Sequence, residues 1–385
     1  MREALKLFFQ KPTTKAGIAS VLMFQLIFCI VWMTAYHDVS ENTGKLRITV
    51  VNEDQGFGKQ IAQQLETNLP FTMLTEPELD TAMAQLNGRS TQMVLHIPSG
   101  FSGELQAGGA AAQMQYYINE SNPALIKSIM QGVSSQVTAL VNKQAVGASA
   151  QTILVQANVP AAEAKMTAHA LSERVASQIQ RMNPVSGTAN QMVPMMMVLA
   201  SFVGAMVMNM NLEQSSMMIG ARIGRWSKFG ARLIINAVSA IVVALVGTSL
   251  TLALGGQAEA GFLALWGFQT LFLFTFMVTS QFFLTLFGMA GMLCNIVLLS
   301  AQLVSSGAMV PRELLSGFYR GISEVFPATY AVEGLMNLLF GGSSAGKDVL
   351  VLVAFVAALV LLNMVTITLK RPATLPQPGG AKTAV

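Results

Sequence analysis

Long apolar runs alternate with short charged segments along this chain, and the runs have the length of membrane-spanning helices. A helix needs about 20 apolar residues to cross a bilayer. Six predicted spans meet this requirement, at residues 16–36, 192–212, 233–254, 262–280, 287–308 and 349–369. The fourth and fifth share one uncharged stretch between Glu259 and Arg312. That stretch is too long for a single helix, so we divide it at a tight turn.

Lysine and arginine residues at the ends of these spans predict the orientation. Three segments hold eleven of them: Arg2, Lys6, Lys11 and Lys15; Arg222, Arg225, Lys228 and Arg232; and Lys370, Arg371 and Lys382. Because short positively charged segments stay in the cytoplasm, both termini are predicted to lie there. The predicted location of the protein is the bacterial cytoplasmic (inner) membrane. The predicted organisation is a cytoplasmic interfacial helix at 1–15, the first span, an outer domain at 37–190, a five-span membrane domain at 191–370 and a cytoplasmic tail at 371–385.

Composition agrees with a membrane protein and removes several other classes. The chain is 52% hydrophobic and only 11% charged, whereas soluble domains carry about 25% charged residues. Its basic residues stand at span ends without an aromatic-basic patch, which argues against nucleic-acid binding. Cys29 and Cys294 both lie in apolar runs, so a disulfide framework is not expected. The three histidines are far apart in the sequence, so no metal site is predicted.

The outer segment has the pattern of a small α/β domain extended by long helices. "LRITVVN", "QMVLHIP" and "MQYYIN" are typical of strands, "FTML" is a possible short one, and helical patterns lie between them. From Pro123 onward the pattern is helical. Glu53 and Asp54 are adjacent, as acids in a metal or glycosidase site can be. Neighbours on a strand point to opposite faces, however, so we interpret these acids as a helix entry.

The stretch "GGSSAGKD", residues 341–348, comes within one residue of the phosphate-binding loop G-x-x-x-x-G-K-[ST]. Asp348 occupies the Ser/Thr position and would place a negative charge where phosphates and magnesium sit. A helical pattern precedes the stretch and a span follows it, whereas a phosphate loop follows a strand. We predict a hinge between two helices and no nucleotide site in this chain.

Three stretches of the outer segment, "LRITVVNEDQGFGKQIAQQL", "AMAQLNGRSTQMVLHIPSGFSGELQAG" and "MQYYINESNPAL", carry a family resemblance. Together with "SSGAMVPRELLSGFYRGISEVFPATYAVEGL" near the C-terminus, they resemble ABC type-2 exporter permeases of the phage-infection-protein (YhgE/Pip) branch. The resemblance covers nearly the whole chain. It implies an α-helical polytopic membrane protein with re-entrant helices before the last span.

The predicted re-entrant segment, 309–348, also stands out physically. Prolines and glycines interrupt an apolar stretch that contains charges, and a lipid-facing helix would leave both the broken backbone and the charges unsatisfied. Short helices dipping in from outside would satisfy them, although an amphipathic surface loop is the alternative. The candidate residues are Gly307, Pro311, Arg312, Glu313, Arg320, Glu324, Pro327 and Tyr330.

The resemblance implies a transport subunit with partners. Such a permease forms a homodimer or a heterodimer with a related permease, contacts membrane lipid, and exports amphiphilic or lipophilic cargo of the lipid, drug, peptide or glycan class. ATP and Mg²⁺ would bind a separate ABC ATPase subunit, so no cofactor and no enzyme activity are expected in this chain. The alternative is a non-transporting surface receptor or assembly factor that acts through the outer domain.

Two cytoplasmic elements suit ATPase docking. In the N-terminal segment Leu5, Phe8 and Phe9 are predicted on one apolar face. The connection 213–232 is the predicted coupling loop, with Glu213, Arg222, Arg225, Trp226 and Lys228 as its contact residues. The family usually has an E-x-E-x-G-T pattern there, and this chain has only Glu213 followed by a basic run. Positive charge at the membrane surface is the alternative explanation of that run.

Polar residues inside the spans are candidates for a substrate path. Those chosen are Asn209, Asn211, Asn236 and Gln302; Gln269, Gln281, Asn295 and Asn363 share their character. Buried amides also fasten helices to one another, and the sequence alone leaves both roles open.

Overall fold

The computed structural model describes residues 1–35, 39, 41–107, 112–119, 122–172, 183–310, 312 and 315–370. Pro311, Glu313, the end of the predicted first span at Tyr36 and the tail 371–385 lie outside these residues. The chain divides into two compact units. The helical unit comprises Met1–Val39 and Arg181–Val385, and the α/β unit comprises Ser40–Gln180. The second unit is therefore inserted into the sequence of the first.

Helices dominate the described residues, with one small sheet among them. The helices are α1 Arg2–Phe9, α2 Pro12–Ala35, α3 Phe57–Asn68, α4 Leu79–Asn87, α5 Phe101–Ala107, α6 Ala124–Gln156, α7 Ala161–Ser172, α8 Gly187–Ile219, α9 Arg225–Ala253, α10 Phe262–Phe287, α11 Gly291–Ser305, α12 Gly317–Val325, α13 Pro327–Phe340 and α14 Gly346–Leu369. The strands are β1 Arg47–Asn52, β2 Thr72–Thr75, β3 Met93–Ile97 and β4 Gln115–Ile118.

Five segments of the described chain are long and apolar enough to cross a membrane. They are Pro12–Ala35, Gly187–Arg222, Arg225–Ala253, Phe262–Ser305 and Gly346–Leu369. The chain is thus a multi-pass helical membrane protein. Our count of six spans stays a prediction, because it depends on how the fourth segment is divided.

The fourth segment bends back on itself as predicted, but a few residues later, because the predicted turn lay between residues 280 and 287. A short 3-10 helix, Gly288–Ala290, separates α10 from α11, and Asn295 Nδ2 donates to Ser280 Oγ at 3.1 Å. This contact between residues on either side of the bend shows that α11 runs back along α10. With 15 residues at 1.5 Å per residue, α11 extends about 22 Å, which is less than the roughly 30 Å of a bilayer core.

Helix α8 lies at the centre of the helical unit. In its most apolar stretch 67% of the residues are buried, against 28% in α2 and 22% in α14. Small residues let α2 and α8 approach closely: a Cβ on Gly17 would lie 2.9 Å from Asn211 Cβ, and one on Gly204 would lie 2.8 Å from Val21 Cγ2. Close approach at small residues is how helices associate in lipid.

Two short helices, α12 and α13, occupy most of the predicted re-entrant segment. Pro327 begins α13. A proline is well tolerated there, because the backbone N–H group at the first position of a helix makes no hydrogen bond within the helix. Most of α13 is buried, and it packs against α10 and α14. Helix α12 instead exposes Phe318 and Val325. Whether this pair enters the membrane stays a prediction.

The α/β unit is built on a four-stranded sheet of order β2-β1-β3-β4. Strand β1 pairs in parallel with β2 and β3, and β3 pairs antiparallel with β4. The predicted strands, including the short one at "FTML", are thereby confirmed. One sheet face packs with α3 and α6, and the other packs with α4.

Asp54 shapes the turn from β1 into α3. Its carboxylate accepts hydrogen bonds from the backbone of Gly56 and Gly58, each at 3.0 Å, and from the backbone and hydroxyl of Ser102. Burial raises the pKa of this carboxyl, but the hydrogen bonds from Ser102, Gly58 and Gly56 together hold the pKa below its usual value. Glu53 instead lies 3.2 Å from His96 Nε2. The interpretation as a helix entry is confirmed for Asp54, whereas Glu53 contacts His96 of β3.

We expect Asp54→Asn to loosen this turn and to reduce its sensitivity to acid. A carboxylate whose folded-state pKa lies below its unfolded value of about 3.9 stabilises the fold above that value. This stabilisation is lost as the pH falls through the folded-state pKa. Hydrogen–deuterium exchange of residues 52–58 between pH 7 and pH 3 measures it. The exposed Asp80→Asn is the control, and equal behaviour of the two variants would refute the assigned role.

We expect Gly334→Ala to destabilise the helical unit. A Cβ at Gly334 of α13 would lie 2.2 Å from Cζ of the buried Phe268 in α10, and overpacking of this kind costs about 1–3 kcal/mol. Gly321 is the matched control, because no heavy atom lies within 4 Å of its Cβ position. In thermal unfolding of the detergent-solubilised protein, Gly321→Ala should not lower the midpoint. A Gly334→Ala variant as stable as wild type would disprove the α13–α10 packing.

Candidate coupling site and polar contacts between the helices

The predicted coupling loop 213–232 is mostly helical. Helix α8 continues to Ile219 and α9 begins at Arg225, so only residues 220–224 interrupt the two helices. No glycine or proline interrupts the sequence between Leu212 and Gly220, and α8 therefore runs past its apolar part. The expected loop is a short break, the α8–α9 junction, between two long helices.

A groove of about 660 Å³ lies beside the α8–α9 junction, lined by the ends of α8, α9, α10 and α14. The structure brings together three of the five predicted contact residues here, Glu213, Arg225 and Lys228. Arg222 and Trp226 do not line the groove, and both are exposed. These two side chains stand free for contact at the surface of the junction.

Arg232 is the residue of this groove that our list of contact residues missed. It is buried and forms an ion pair with Glu213 between α9 and α8, with side-chain exposures of 6% and 16%. Lys228 Nζ donates to Ser216 O at 2.9 Å, and Arg225 donates to the carbonyl of Lys370. The signal in the sequence was an arginine placed directly before an apolar run. The ion pair and these hydrogen bonds tie the ends of α8, α9 and α14 to one another.

The N-terminal helix α1 packs on the same end of the helical unit, with contacts to α8 and α9. Its buried residues are Ala4 and Phe8, one turn apart, whereas Phe9 is 47% exposed. Ala4 and Phe8 contact protein, and Leu5 is partly buried against the same core. The apolar face of Leu5, Phe8 and Phe9 toward the membrane surface stays a prediction, because an exposed Phe9 is compatible with contact to lipid.

Two candidate path residues, Asn209 and Asn236, meet in a contact between three helices. Asn236 Nδ2 in α9 donates to Asn209 Oδ1 in α8 at 3.2 Å and to Gln281 Oε1 in α10 at 2.8 Å. Asn209 Nδ2 donates to the carbonyl of Met277 at 3.0 Å. All three amide side chains are buried. The arrangement fastens α8, α9 and α10 to one another.

The other two path candidates lie elsewhere. Asn211 Nδ2 donates to Val207 O within its own helix at 2.9 Å. Gln302 in α11 is buried and faces a small, largely apolar cavity beside α8 and α13. Neither of its amide atoms has a hydrogen-bond partner among the described residues. The structure therefore does not join the four candidates into one path.

The described residues of the predicted re-entrant segment make local contacts. Arg312 Cγ lies 3.2 Å from the Cβ position of Gly307, whose φ is +83°. Tyr330 donates its hydroxyl to Glu324 O at 2.8 Å, and its ring centroid lies 6.1 Å from that of Phe355 in α14. Pro327 is buried, and Arg320 and Glu324 are exposed.

The loop that resembles a phosphate-binding motif connects two helices, α13 and α14. Gly341 and Gly342 have φ values of +86° and +129°, which favour glycine. Asp348 is buried in the first turn of α14. The predicted position between two helices is confirmed, and a helix stands where a strand would precede a phosphate loop. A hinge role stays a prediction.

Apolar helices with buried amide contacts, and an α/β unit inserted after the first of the membrane-spanning helices, define a multi-pass membrane protein. The family model described as "ABC-2 family transporter protein" matches residues 15–365. The chain belongs to this family of transport subunits.

The chain is also similar, over part of its length, to a bacterial protein. It is 30% identical over 120 residues to "Uncharacterized protein YhgE" of Bacillus subtilis (strain 168). The match covers 30% of this chain and 15% of that protein, so it extends over a small part of the relative's length.

We expect Asn236→Ala to destabilise the helical unit by about 1–2 kcal/mol, because hydrogen bonds between membrane helices contribute about that much. The measurement is the thermal unfolding midpoint in detergent. Asn211→Ala is the matched control, since the Asn211 amide bonds only its own helix and alanine keeps the Cβ that packs on Gly17. Equal losses in both variants would contradict the fastening role of Asn236.

Proposed function

We propose that this chain is the permease subunit of an ABC-type exporter, powered by separate ATPase subunits that dock at the α8–α9 junction. It would work as a homodimer or beside a related permease in the bacterial inner membrane, with both termini in the cytoplasm. Family membership supports the transport role. The orientation is supported by the location of the cations. They lie on α1, on the first turn of α9 and at the end of α14, all at one end of the helical unit.

One observation carries the coupling proposal. The α8–α9 junction interrupts two helices of 33 and 29 residues, and the ion pair Glu213–Arg232 joins those helices directly behind it. The amide contact of Asn209 and Asn236 joins them again deeper in the unit. A force applied to the exposed Arg222 and Trp226 would therefore move both helices together.

The cargo that fits best is amphiphilic or lipophilic. Much of the polar side-chain capacity inside the described helices is used between helices, as in the contacts of Asn236 with Gln281, Asn295 with Ser280, and Thr248 with Gln269. Amides with unpaired atoms remain, such as Gln25 and Gln302, but both are buried, and the cavity that Gln302 faces is lined mostly by apolar side chains. Lipids, lipophilic drugs and amphiphilic peptides or glycans need fewer polar groups than a hydrophilic solute.

We expect substitution of Arg222 and Trp226 by alanine to weaken ATPase binding without loss of stability. Both side chains are exposed, so their removal leaves the packing intact. The measurement is the amount of nucleotide-binding subunit that co-purifies with the chain from its native membrane. It is followed by ATP-dependent export of a fluorescent lipid from vesicles.

Lys59→Ala, an exposed cation of the α/β unit, is the control and should leave binding and export unchanged. Consistent absence of any nucleotide-binding subunit from the wild-type preparation would reject the exporter proposal. If changes in the α/β unit alone abolished function, the chain would be a surface receptor or assembly factor.

A further inference from the structure

The groove beside the α8–α9 junction has a large excess of positive charge among the residues that line it. Arg225, Lys228, Arg232 and Lys370 line it together with a single carboxylate, that of Glu213. Glu213 is already engaged by Nη1 of Arg232. The charge of this groove is therefore not balanced by the described side chains.

Arg232 points to what would balance this charge. The residue is 5% exposed, and its Nε and Nη2 atoms have no hydrogen-bond partner among the residues that the structure describes. Buried donors without partners are costly, and those of a charged group most of all. A guanidinium group with two free donors matches two oxygens of one phosphate group.

The first turn of α9 adds to the positive potential. This turn contains no acidic residue, and the N-cap residue, Gly224, has no side chain that could accept a hydrogen bond from the backbone N–H groups of the turn. The exposed backbone N–H groups and the helix dipole at an N-terminus favour an anion. Gly224 and Arg225 both line the groove, so this helix end borders the same space as Arg232.

Lys228 reaches the groove from the same turn of α9. Its ammonium donates one hydrogen bond, to Ser216 O at 2.9 Å, and an ammonium group has three donors. Apolar side chains line the groove as well, among them Met217, Phe229 and Ile367. They form a wall suited to the hydrocarbon part of an amphiphile.

We propose that this groove is a binding site for a phosphate group, held by Arg232, Lys228 and the N-terminus of α9. The phosphodiester of an anionic phospholipid and free inorganic phosphate share this chemistry, and the apolar wall favours the phospholipid. The site belongs to this chain alone and does not depend on an ATPase partner. A bound phosphate would also leave Glu213 in its ion pair, because Arg232 can engage both through different atoms.

Native mass spectrometry of the full chain tests the site. The delipidated protein is titrated in detergent with phosphatidylglycerol and, separately, with inorganic phosphate. Phosphatidylcholine, which carries no net charge, is the comparison lipid. We expect wild type to retain phosphatidylglycerol at least about tenfold more tightly than phosphatidylcholine. Retention of inorganic phosphate without that preference would assign the site to free phosphate instead.

Three variants decide which residues hold the phosphate. Lys228→Gln and Arg232→Gln should each weaken binding about tenfold or more, as expected for one charge-assisted hydrogen bond. Glu213→Gln should strengthen binding, because it removes the only carboxylate among the lining residues and frees Arg232. If Glu213 had only a structural role, its substitution would not raise the affinity that the other two substitutions lower.

Lys6→Gln is the matched control, because Lys6 is an exposed cation of α1 that does not line the groove. Its affinity for phosphatidylglycerol should equal that of wild type. Equal weakening by Lys6→Gln and Lys228→Gln would show attraction by general surface charge and would overturn the proposal. Unchanged affinity for phosphatidylglycerol in both Lys228→Gln and Glu213→Gln would also overturn the proposal. These two variants keep the test valid even if Arg232→Gln does not fold.

Discussion

The packing of α8 against its neighbours is the contact on which the helical unit depends. In a bilayer, polar groups find partners only within the protein, and α8 provides partners on several sides. It approaches α2 at Gly17 and Gly204, joins α9 and α10 through Asn209 and Asn236, and ends in the ion pair of Glu213 with Arg232. The helices around it are less buried over their most apolar stretches, with 28% in α2, 44% in α9 and 22% in α14 against 67% in α8, so α8 provides the main packing surface of the unit.

The pattern of apolar and polar residues predicted most of the elements, because it records directly which side chains face water and which face lipid or the protein interior. The strands of the α/β unit and the membrane helices follow from the local order of apolar and polar residues. The end of α8 did not, because the polar residues after Leu212 were interpreted as the start of a loop. Helical structure there is stabilised by contacts with α1, α2 and α9, including the hydrogen bond from Thr14 of α2 to Ser215. Such contacts between distant residues are not visible in a local pattern.

The candidate site shows the same limit. Its charged residues were recognised individually, but the grouping of Glu213, Arg225 and Lys228 around one groove depends on the return of α9 beside α8. Arg232 was counted as one more cation at a span end, and only the folded chain shows its buried position against Glu213. For the amides the sequence offered two roles, and the geometry assigns Asn209 and Asn236 to fastening. Gln302 remains the path candidate whose amide nitrogen and oxygen both lack a hydrogen-bond partner among the described residues.

These features combine into one account of how a partner subunit could drive this membrane subunit. The helices α8 and α9 are long, and they are tied to each other at the junction and again in the middle of the unit. Residues at the junction surface are exposed, and beside them Arg225 donates a hydrogen bond to the carbonyl of Lys370 at the end of α14. A partner that moved the junction would therefore move the central helix, and with it the packing of the whole helical unit.

Pulsed electron paramagnetic resonance would test this account most directly. Spin labels would replace Met217 in α8 and Leu369 in α14, which are 54% and 78% exposed, in a chain whose Cys29 and Cys294 are changed to serine. The distance between the labels is measured in the complex with its ATPase subunit, with and without ATP. The account predicts that ATP shifts the distance distribution and that the shift is lost when Arg222 and Trp226 are alanine. An unchanged distribution in an ATP-hydrolysing complex would contradict it.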